Sequence, residues 1–429
     1  MRKLAQHSIP SSFFIIFVFY SNRFLLNDHQ NTETIMLLAI IALMGLIAIW
    51  ADSHFWLRHK TQFPPTMRWI GVLLLAINNA LLPIILIVGL SIDDNDLWFT
   101  RFAMGLNWLW VMTTPPRLVF YFFHHLRMPR LGLLGCMGLF SIFLWASTYG
   151  RTSLQVNREE FSSAKLPSSF DGFRIVQFSD AHLGSLVFPE REVMRWVDSI
   201  NRLNADLVVF TGDMIHIRHT ELTPTLQNIL SKIQASEGVI SITGNHDEGV
   251  YVKDTMRLPL AENRRLLIEK QRQMGWHVLD NTTLWLHRGG DSISVSGFSF
   301  DPELRKQRHD RNLPATHLTE VYHDIPTLHF NLTAVHTPQL WDAIMEAGYG
   351  DLTLAGHVHA MQLKINLFGF KLSPARLIYP RWSGRYDRQA KMLYINDGTG
   401  YAAFPMRLGA WPEINLITLR KCESSFQQP

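Results

Sequence analysis

The sequence predicts an α/β domain preceded by an N-terminal transmembrane helical region. Three observations predict it. Long apolar runs are confined to the first third of the chain. From about residue 151, short apolar runs alternate with helical patterns. Small clusters of Asp, Asn and His fall just past those short runs. The composition frames this reading: 429 residues, 47% hydrophobic and only 18% charged, against roughly 25% charged in soluble proteins. Such a chain exceeds one ordinary domain and is neither disordered nor fibrous. Its net charge of +4 is uneven, with ten Lys/Arg against six Asp/Glu in residues 1–150 and thirty of each in the remainder. A nucleic-acid binder concentrates basic charge on its soluble part, so no nucleic-acid partner is expected. The basic excess lies in the apolar third and points to a bilayer.

Within residues 1–150, four stretches approach the roughly 20 residues that cross a bilayer: 35–51, 69–91, 102–123 and 131–147. A weaker fifth, 13–26, is interrupted by Arg23; it reads equally as a signal-peptide core, or as untranslated sequence if synthesis starts at Met36. A single apolar run is often a buried core helix, but four in succession with short polar loops argue for spans. Lipid leaves backbone groups only internal partners, so these are helices. The loop 52–68 carries Arg58, Lys60 and Arg68, and the loop 124–130 carries Arg127 and Arg130. Between them, 92–101 carries Asp93, Asp94 and Asp96 against Arg101. The positive-inside rule places the acidic loop, and everything after residue 147, on the outer (periplasmic or extracellular) face of a multi-pass plasma or inner-membrane protein. Cys136 and Cys422 form neither a disulfide framework nor a metal-binding pair.

Residues 151–169 are polar and read as a linker. Beyond them the apolar runs 173–178, 207–210, 239–242, 277–279, 327–335 and 352–354 read as strands. Residues 189–203 have helical spacing, with Val193, Trp196, Val197, Ile200 and Leu203 on one face; 226–233 and 260–274 are further helices. No internal repeat or low-complexity tract interrupts the pattern. Asp180-Ala181-His182, Gly212-Asp213, Gly244-Asn245-His246-Asp247, His336 and Gly356-His357-Val358-His359 each follow a strand. Ligands of α/β sheets collect beyond the carboxyl ends of strands, so these five sets are expected to converge.

The chemistry such a set serves is specific. Two divalent metal ions about 3.5–4 Å apart clamp the attacking and leaving oxygens of an in-line displacement. Mixed imidazole, amide and carboxylate donors suit manganese, iron or zinc rather than calcium. One D-x-H is noise; the ordered set of five is not.

At these residues the chain resembles the calcineurin-like metallophosphoesterase superfamily, whose pattern D-x-H, G-D, G-N-H-D/E, H and G-H-x-H is met at Asp180/His182, Gly212-Asp213, Gly244 to Asp247, His336 and Gly356 to His359. The resemblance covers roughly residues 170–420 and is strongest to a membrane-associated bacterial branch, through the strand signature Pro412-Glu413-Ile414. It implies a four-layer α/β/β/α sandwich over residues 170–429. It implies a first metal held by Asp180, His182, Asp213 and His359, and a second by Asp213, Asn245, His336 and His357. Asn245 would help position the phosphate and His246 would protonate the leaving oxygen of a phosphate-ester substrate. Asp213 is followed by Met214-Ile215-His216-Ile217, not the D-x-x-D-R-G of protein serine/threonine phosphatases. His216 stands where purple acid phosphatases place a tyrosine ligand. Ala360-Met361-Gln362 replaces the branch's usual Gly-Gly-Gln and puts side chains on the backbone beside His359.

Blander readings stand beside these. Asp247 is a helix cap or an orienting group, and His216 and His219 either approach substrate or are exposed loop histidines, the commoner case. Arg264, Arg265, Lys270 and Arg272 form a solvated face, or one that meets anionic headgroups. The selectors of substrate are expected after Asp247 and between 300 and 327. Phosphorylated lipids or nucleotide-linked lipid precursors are the first expectation for substrate, and soluble phosphomono- or diesters the second. A catalytically silent sensor or scaffold, the alternative, would carry a degenerate ligand set. A transporter would carry acidic groups within its spans, and the spans as drawn have none.

Overall fold

A computed structural model describes residues 31–91, 97–249, 251–252, 257–300, 316–367, 370–402 and 404–423. The candidate span 13–26 lies outside them, as does most of the expected selector segment between 300 and 327. Four helices open the described chain: α1 (Asn31–His59), α2 (Pro65–Ser91), α3 (Leu97–His125) and α4 (Pro129–Thr148). Pro65 and Pro129 sit at the helix starts, where the missing N–H costs nothing. All four expected spans fall inside these helices. Among the described residues two stretches, Pro65–Ile85 and Pro129–Thr152, are long and apolar enough to cross a membrane by length and composition. Asp52 and Arg58 lie within α1, and Arg101 and Arg117 within α3. Asp52 and Arg117 meet each other at 3.4 Å, and the Tyr121 hydroxyl donates to Asp52. On α4 the apolar side chains of Leu133, Leu134, Met137 and Phe140 face outward.

The α/β part contains two six-stranded sheets. The first runs β1 (Gln155–Ser163), β14 (Glu413–Lys421), β2 (Arg174–Phe178), β3 (Leu207–Phe210), β4 (Val239–Ser241) and β5 (His277–Val278). The second runs β12 (Gly384–Arg388), β13 (Lys391–Ile395), β9 (Leu352–Ala355), β8 (Asn331–Ala334), β7 (Asp291–Gly297) and β6 (Thr282–Arg288). β2, β3 and β4 are parallel, as are β7, β8 and β9. β2, β3, β4 and β9 are covered on both faces and so read as mostly apolar runs, which is why the sequence located them closely; β7 alternates Ser with Ile and Val and was not among the expected strands.

Three apolar clusters show how the layers stack. Val176, Val208 and Phe210 pack outward against α5 (Pro189–Asn201) and α6 (Pro224–Leu230) through Val193, Val197, Ile200 and Leu226. Ile175, Val209 and Ile240 meet Val295, Leu332 and Leu354 between the sheets. Leu393 and Ile395 pack against α8 (Thr316–Tyr322) and α9 (Trp341–Glu346). A further helix, α7 (Leu260–Gln273), precedes β5.

The stretch expected to be a linker is built into the domain. Gln155–Ser163 is an edge strand paired in parallel with β14 along all nine residues. Its polar sequence belongs to an edge with one solvated face, where charges discourage further pairing, and that composition imitates a linker. The helical region is docked as well. The Arg407 N–H donates to the Ala146 carbonyl at 3.3 Å, and Arg151 pairs with Glu192 at 2.7 Å while both are buried. Trp145 meets Trp411 edge-on. At the start of α3, Arg101 reaches the Gly184 carbonyl and Met104 joins the outer core cluster.

Candidate metal centre

The carboxyl ends of β2, β3, β4, β8 and β9 open onto one place. Asp180 and His182 follow β2, Asp213 follows β3, Asn245 and His246 follow β4, His336 follows β8, and His357 and His359 follow β9. Asp180, His182, Asp213 and His359, all buried, offer ligand atoms within 4.8 Å of one another. Asp213, His336 and His357 do the same. Asn245 completes this second group, its Oδ1 lying 2.8 Å from His357 Nδ1 and 3.1 Å from His336 Nε2. Asp213 is common to both groups, with Oδ2 3.7 Å from His182 Nε2 and 3.2 Å from His336 Nε2.

The backbone bends sharply to achieve this convergence. Asp180, His182, Asp213, His357 and His359 all have left-handed φ, between 42° and 74°. Non-glycine residues rarely adopt that region, and strain of this kind gathers at functional sites. The turns also need glycine at close approaches. A Cβ on Gly244 would run into the Asp213 carboxylate, and one on Gly356 into Ser179 and Asp180. The Ala360-Met361-Gln362 departure does not relax the bend, because those residues continue it with φ of 46°, 48° and 59°.

The donor set fits a pair of divalent cations. His182 Nε2 and His359 Nε2 approach to 3.1 Å, which directs two nitrogen lone pairs at one point beside two carboxylates. Burial drives the His182 pKa well below its ordinary value, with His246 adding to the effect. Burial also opposes protonation of His336, yet Asp213 beside it raises its pKa to about 9. Burial works against the Asp180 carboxylate too, but His359 and His336 bring it down to about 2. The site thus holds ionised carboxylate at Asp180 and neutral imidazole at His182, donor forms a borderline metal needs, while His336 keeps a proton that a metal would displace.

His246 stands beside the first group. Its backbone N–H donates to Asp213 Oδ1 at 2.9 Å, and its ring nitrogen Nδ1 bonds the His216 carbonyl. That bond leaves Nε2 as the reactive nitrogen. Asp247 takes the orienting role left open by the sequence: its carboxylate accepts from the backbone N–H groups of Asp213, Gly244 and Ile215 at 2.8, 2.9 and 3.2 Å.

His216 departs from the expected exposed loop histidine. It stacks on His246 at 5.1 Å, groups with His182 and His246, and is driven by burial to a pKa of about 3. The basic face of α7 is likewise largely tied down, with Arg264 bound to Glu248 and Asp280, and Lys270 to the His219 and Leu222 carbonyls.

Three further residues were not legible in the sequence. The Glu221 carboxylate is buried and collects the backbone N–H groups of Gly184, His216, Ile217 and Arg218. Tyr251 stacks on His246 at 4.2 Å, and its hydroxyl accepts from Asn245 at 3.3 Å. Arg407, fully buried, donates to the Gly400, Asp397 and Ala410 carbonyls behind Asp180. No local motif announces any of them, because each acts through backbone atoms or an aromatic face.

Residues 173–361 match the family model described as calcineurin-like phosphoesterase. A metallophosphoesterase of Bacillus subtilis, YkuE, is 29% identical over 276 residues, 62% of this chain and 86% of the relative. A Danio rerio transmembrane protein with a metallophosphoesterase domain is 29% identical over 268 residues, covering 61% of this chain and 56% of the relative. The UDP-2,3-diacylglucosamine pyrophosphatase LpxG of Chlamydia muridarum is 25% identical over 326 residues, covering 64% of this chain and 90% of the relative.

Proposed function

We propose, from the premise that this chain carries a calcineurin-like metallophosphoesterase domain and is a metal-dependent phosphoric ester hydrolase, that it is a membrane-anchored enzyme cleaving the phosphoester or pyrophosphate bond of a lipid or nucleotide-linked lipid. The observation that carries the hydrolytic reading is Asp213, shared by two buried ligand groups. Asp180, His182, Asp213 and His359 would hold one divalent ion, and Asp213, Asn245, His336 and His357 the other. When bound, such a pair supplies Lewis-acid charge and lowers the pKa of water.

The protein's own side chains do the rest. Asn245 turns its amide toward the phosphate, and Tyr251 holds both Asn245 and the His246 ring in place. His246 delivers its proton to the leaving oxygen from Nε2. Burial lowers its pKa, so the negative charge of a bound phosphate is what readies it as an acid. Asp247 and Glu221 fix the loops that carry Asp213 and His216.

The lipid reading draws on the LpxG name of two relatives, 25% and 23% identical, and on the helices at the N-terminus. Membrane association draws on the relatives named as transmembrane proteins. We place a multi-pass region within residues 1–150 and start the four-layer phosphoesterase sandwich at β1 rather than residue 170. The start of α3 and the end of α4 both lie against this domain. The loop charges would put that side, where α3 begins and α4 ends, outside.

The test is metal content and hydrolysis by the full-length protein in detergent, with manganese added and aryl phosphodiester, aryl phosphomonoester and UDP-diacylglucosamine offered in turn. Turnover that vanishes in Asp213→Asn together with both metal equivalents supports the enzyme, and preference for the lipid-linked pyrophosphate supports the substrate class. A wild-type protein that binds no metal would sink the reading.

A further inference from the structure

We infer that the small ribbon of β10 (Ile365–Leu367) and β11 (Phe370–Leu372) is a membrane-dipping finger that seats the metal centre on the lipid surface. The inference rests on the membrane association proposed above. β10 and β11 pair only with each other and join neither six-stranded sheet. An isolated two-stranded ribbon is marginal in water, so a third surface is called for.

The register shows which surface. Ile365 lies opposite Leu372 and Leu367 opposite Phe370, while Asn366 lies opposite Lys371. Directly opposed residues share a face, and neighbours along a strand alternate. One face therefore carries Ile365, Phe370 and Leu372, and the other carries Asn366 and Lys371. The apolar face is uncovered: Ile365 is 46% exposed, Leu372 47% and Phe370 69%, and the nearby Leu377 is 83% exposed. A contiguous apolar patch of this kind marks an interaction site.

The ribbon's position selects lipid as the occupant. Its base is bonded to the strip of chain that receives the end of α4. Lys364 N donates to the Leu408 carbonyl at 2.8 Å, and Leu363 bridges to Leu408. The adjoining Arg407 N–H donates to Ala146 of α4, and Trp411 meets Trp145. The ribbon's base thus lies on the same strip of chain that meets the end of an apolar helix long enough to cross a bilayer. Lys371 and Arg376 are exposed beside it without an ion-pair partner among the described residues, as anionic headgroups would require. The ribbon's open backbone edges restrict it to the interface, since hydrocarbon leaves such groups unpaired. It begins three residues after Gln362, directly beyond His357 and His359, so its docking fixes the height of the metal centre above the lipid.

The test places the environment-sensitive fluorophore NBD on single cysteines of the full-length chain in phosphatidylcholine–phosphatidylglycerol vesicles containing doxyl-labelled lipid. Native Cys136 in a Cys422→Ser background reports on α4. Phe370→Cys, with both native cysteines replaced by serine, reports on the finger. Glu269→Cys in the same background, on the solvated side of α7, is the aqueous control. Strong lipid quenching at positions 136 and 370, with iodide quenching only at 269, is the expected result. Quenching at 136 with position 370 behaving like 269 overturns the finger and leaves the anchor standing. No lipid quenching at 136 overturns the membrane reading and the finger with it. Each labelled variant is first required to turn over a soluble aryl phosphodiester at the wild-type rate, which separates both outcomes from failure of the hydrolytic reading.

Discussion

The Nε2 atoms of His182 and His359 lie 3.1 Å apart, too close for two imidazole lone pairs unless a proton or a cation is shared between them. The same competition exists at His336, whose pKa Asp213 raises to about 9 despite burial. At pH 7 the metal-free site therefore carries protons that a metal must displace. Manganese binding is expected to release about one proton or more per site pair, and its affinity to fall as pH drops. Calorimetry in buffers of different ionisation enthalpy measures the release directly. Enthalpies independent of buffer would show that no proton is displaced.

His246→Asn is expected to retain both metal equivalents and lose about 10²–10⁴-fold in kcat, the contribution of a positioned acid. The loss should shrink with a substrate whose leaving group needs no proton, such as a nitrophenyl ester. Equal losses on good and poor leaving groups would assign His246 a different task.

Tyr251→Phe separates the two contacts this residue makes. The ring stacked on His246 stays, while the hydroxyl that accepts from Asn245 is removed. A loss of up to about tenfold is expected in Tyr251→Phe, comparable to one net hydrogen bond of about 1 kcal/mol, and a larger one in Tyr251→Ala. Steady-state kinetics on both variants checks the order; a fully active Tyr251→Ala would remove the ring from the argument.

Stability should carry a pH signature from Glu413. Burial, with Asp397 next to it, pushes this carboxyl up to about 7. The folded protein then binds the proton more tightly than the unfolded chain, whose glutamates titrate near about 4.3. The resulting stabilisation is complete below that value and is lost as pH rises through 7. It amounts to something on the order of 3 kcal/mol. Glu413→Gln keeps an acceptor for the Tyr394 hydroxyl and should melt higher than wild type at pH 8, with little difference near pH 4. Parallel Tm–pH curves for the two proteins would contradict this.

Two hairpins share one turn geometry and solve it differently. β6 and β7 are joined by Gly289-Gly290, and β12 and β13 by Gln389-Ala390, and all four residues have positive φ. Such turns favour Asn-Gly or Gly-Gly. Gln389 and Ala390 are exposed, so Gln389→Asn with Ala390→Gly sacrifices no packing and should stabilise by about 1 kcal/mol. Thermal melts decide it, and an unchanged or lower Tm would count against strain at this turn.

Legibility in the sequence followed burial. Leu207–Phe210 is found at its expected limits because a doubly covered strand is an unbroken apolar run, and its Asp213 is located with it. Asn331–Ala334 is shorter than the run 327–335 because Thr327 to Phe330 bring the chain in ahead of the sheet. β1 was hidden by its solvated face. The candidate ligands were legible because each stands just past a strand end. Glu221 and Arg407 were not, since their partners are backbone groups that no side-chain pattern encodes. His216 misled for a related reason: a histidine among loop residues looks exposed until the loop is folded over by Glu221.

The pairing of β1 with β14 also orders events during synthesis. β14 lies between β1 and β2 in the sheet, yet it leaves the ribosome about 250 residues after β1, a separation of the kind that slows folding. Until then β1 and β2 each keep an open edge where β14 will pair, with β1 already tethered to the N-terminal helices. Completion of the first sheet becomes a late event, and a ribosome stalled before residue 413 would leave behind a fragment with open strand edges, prone to aggregate.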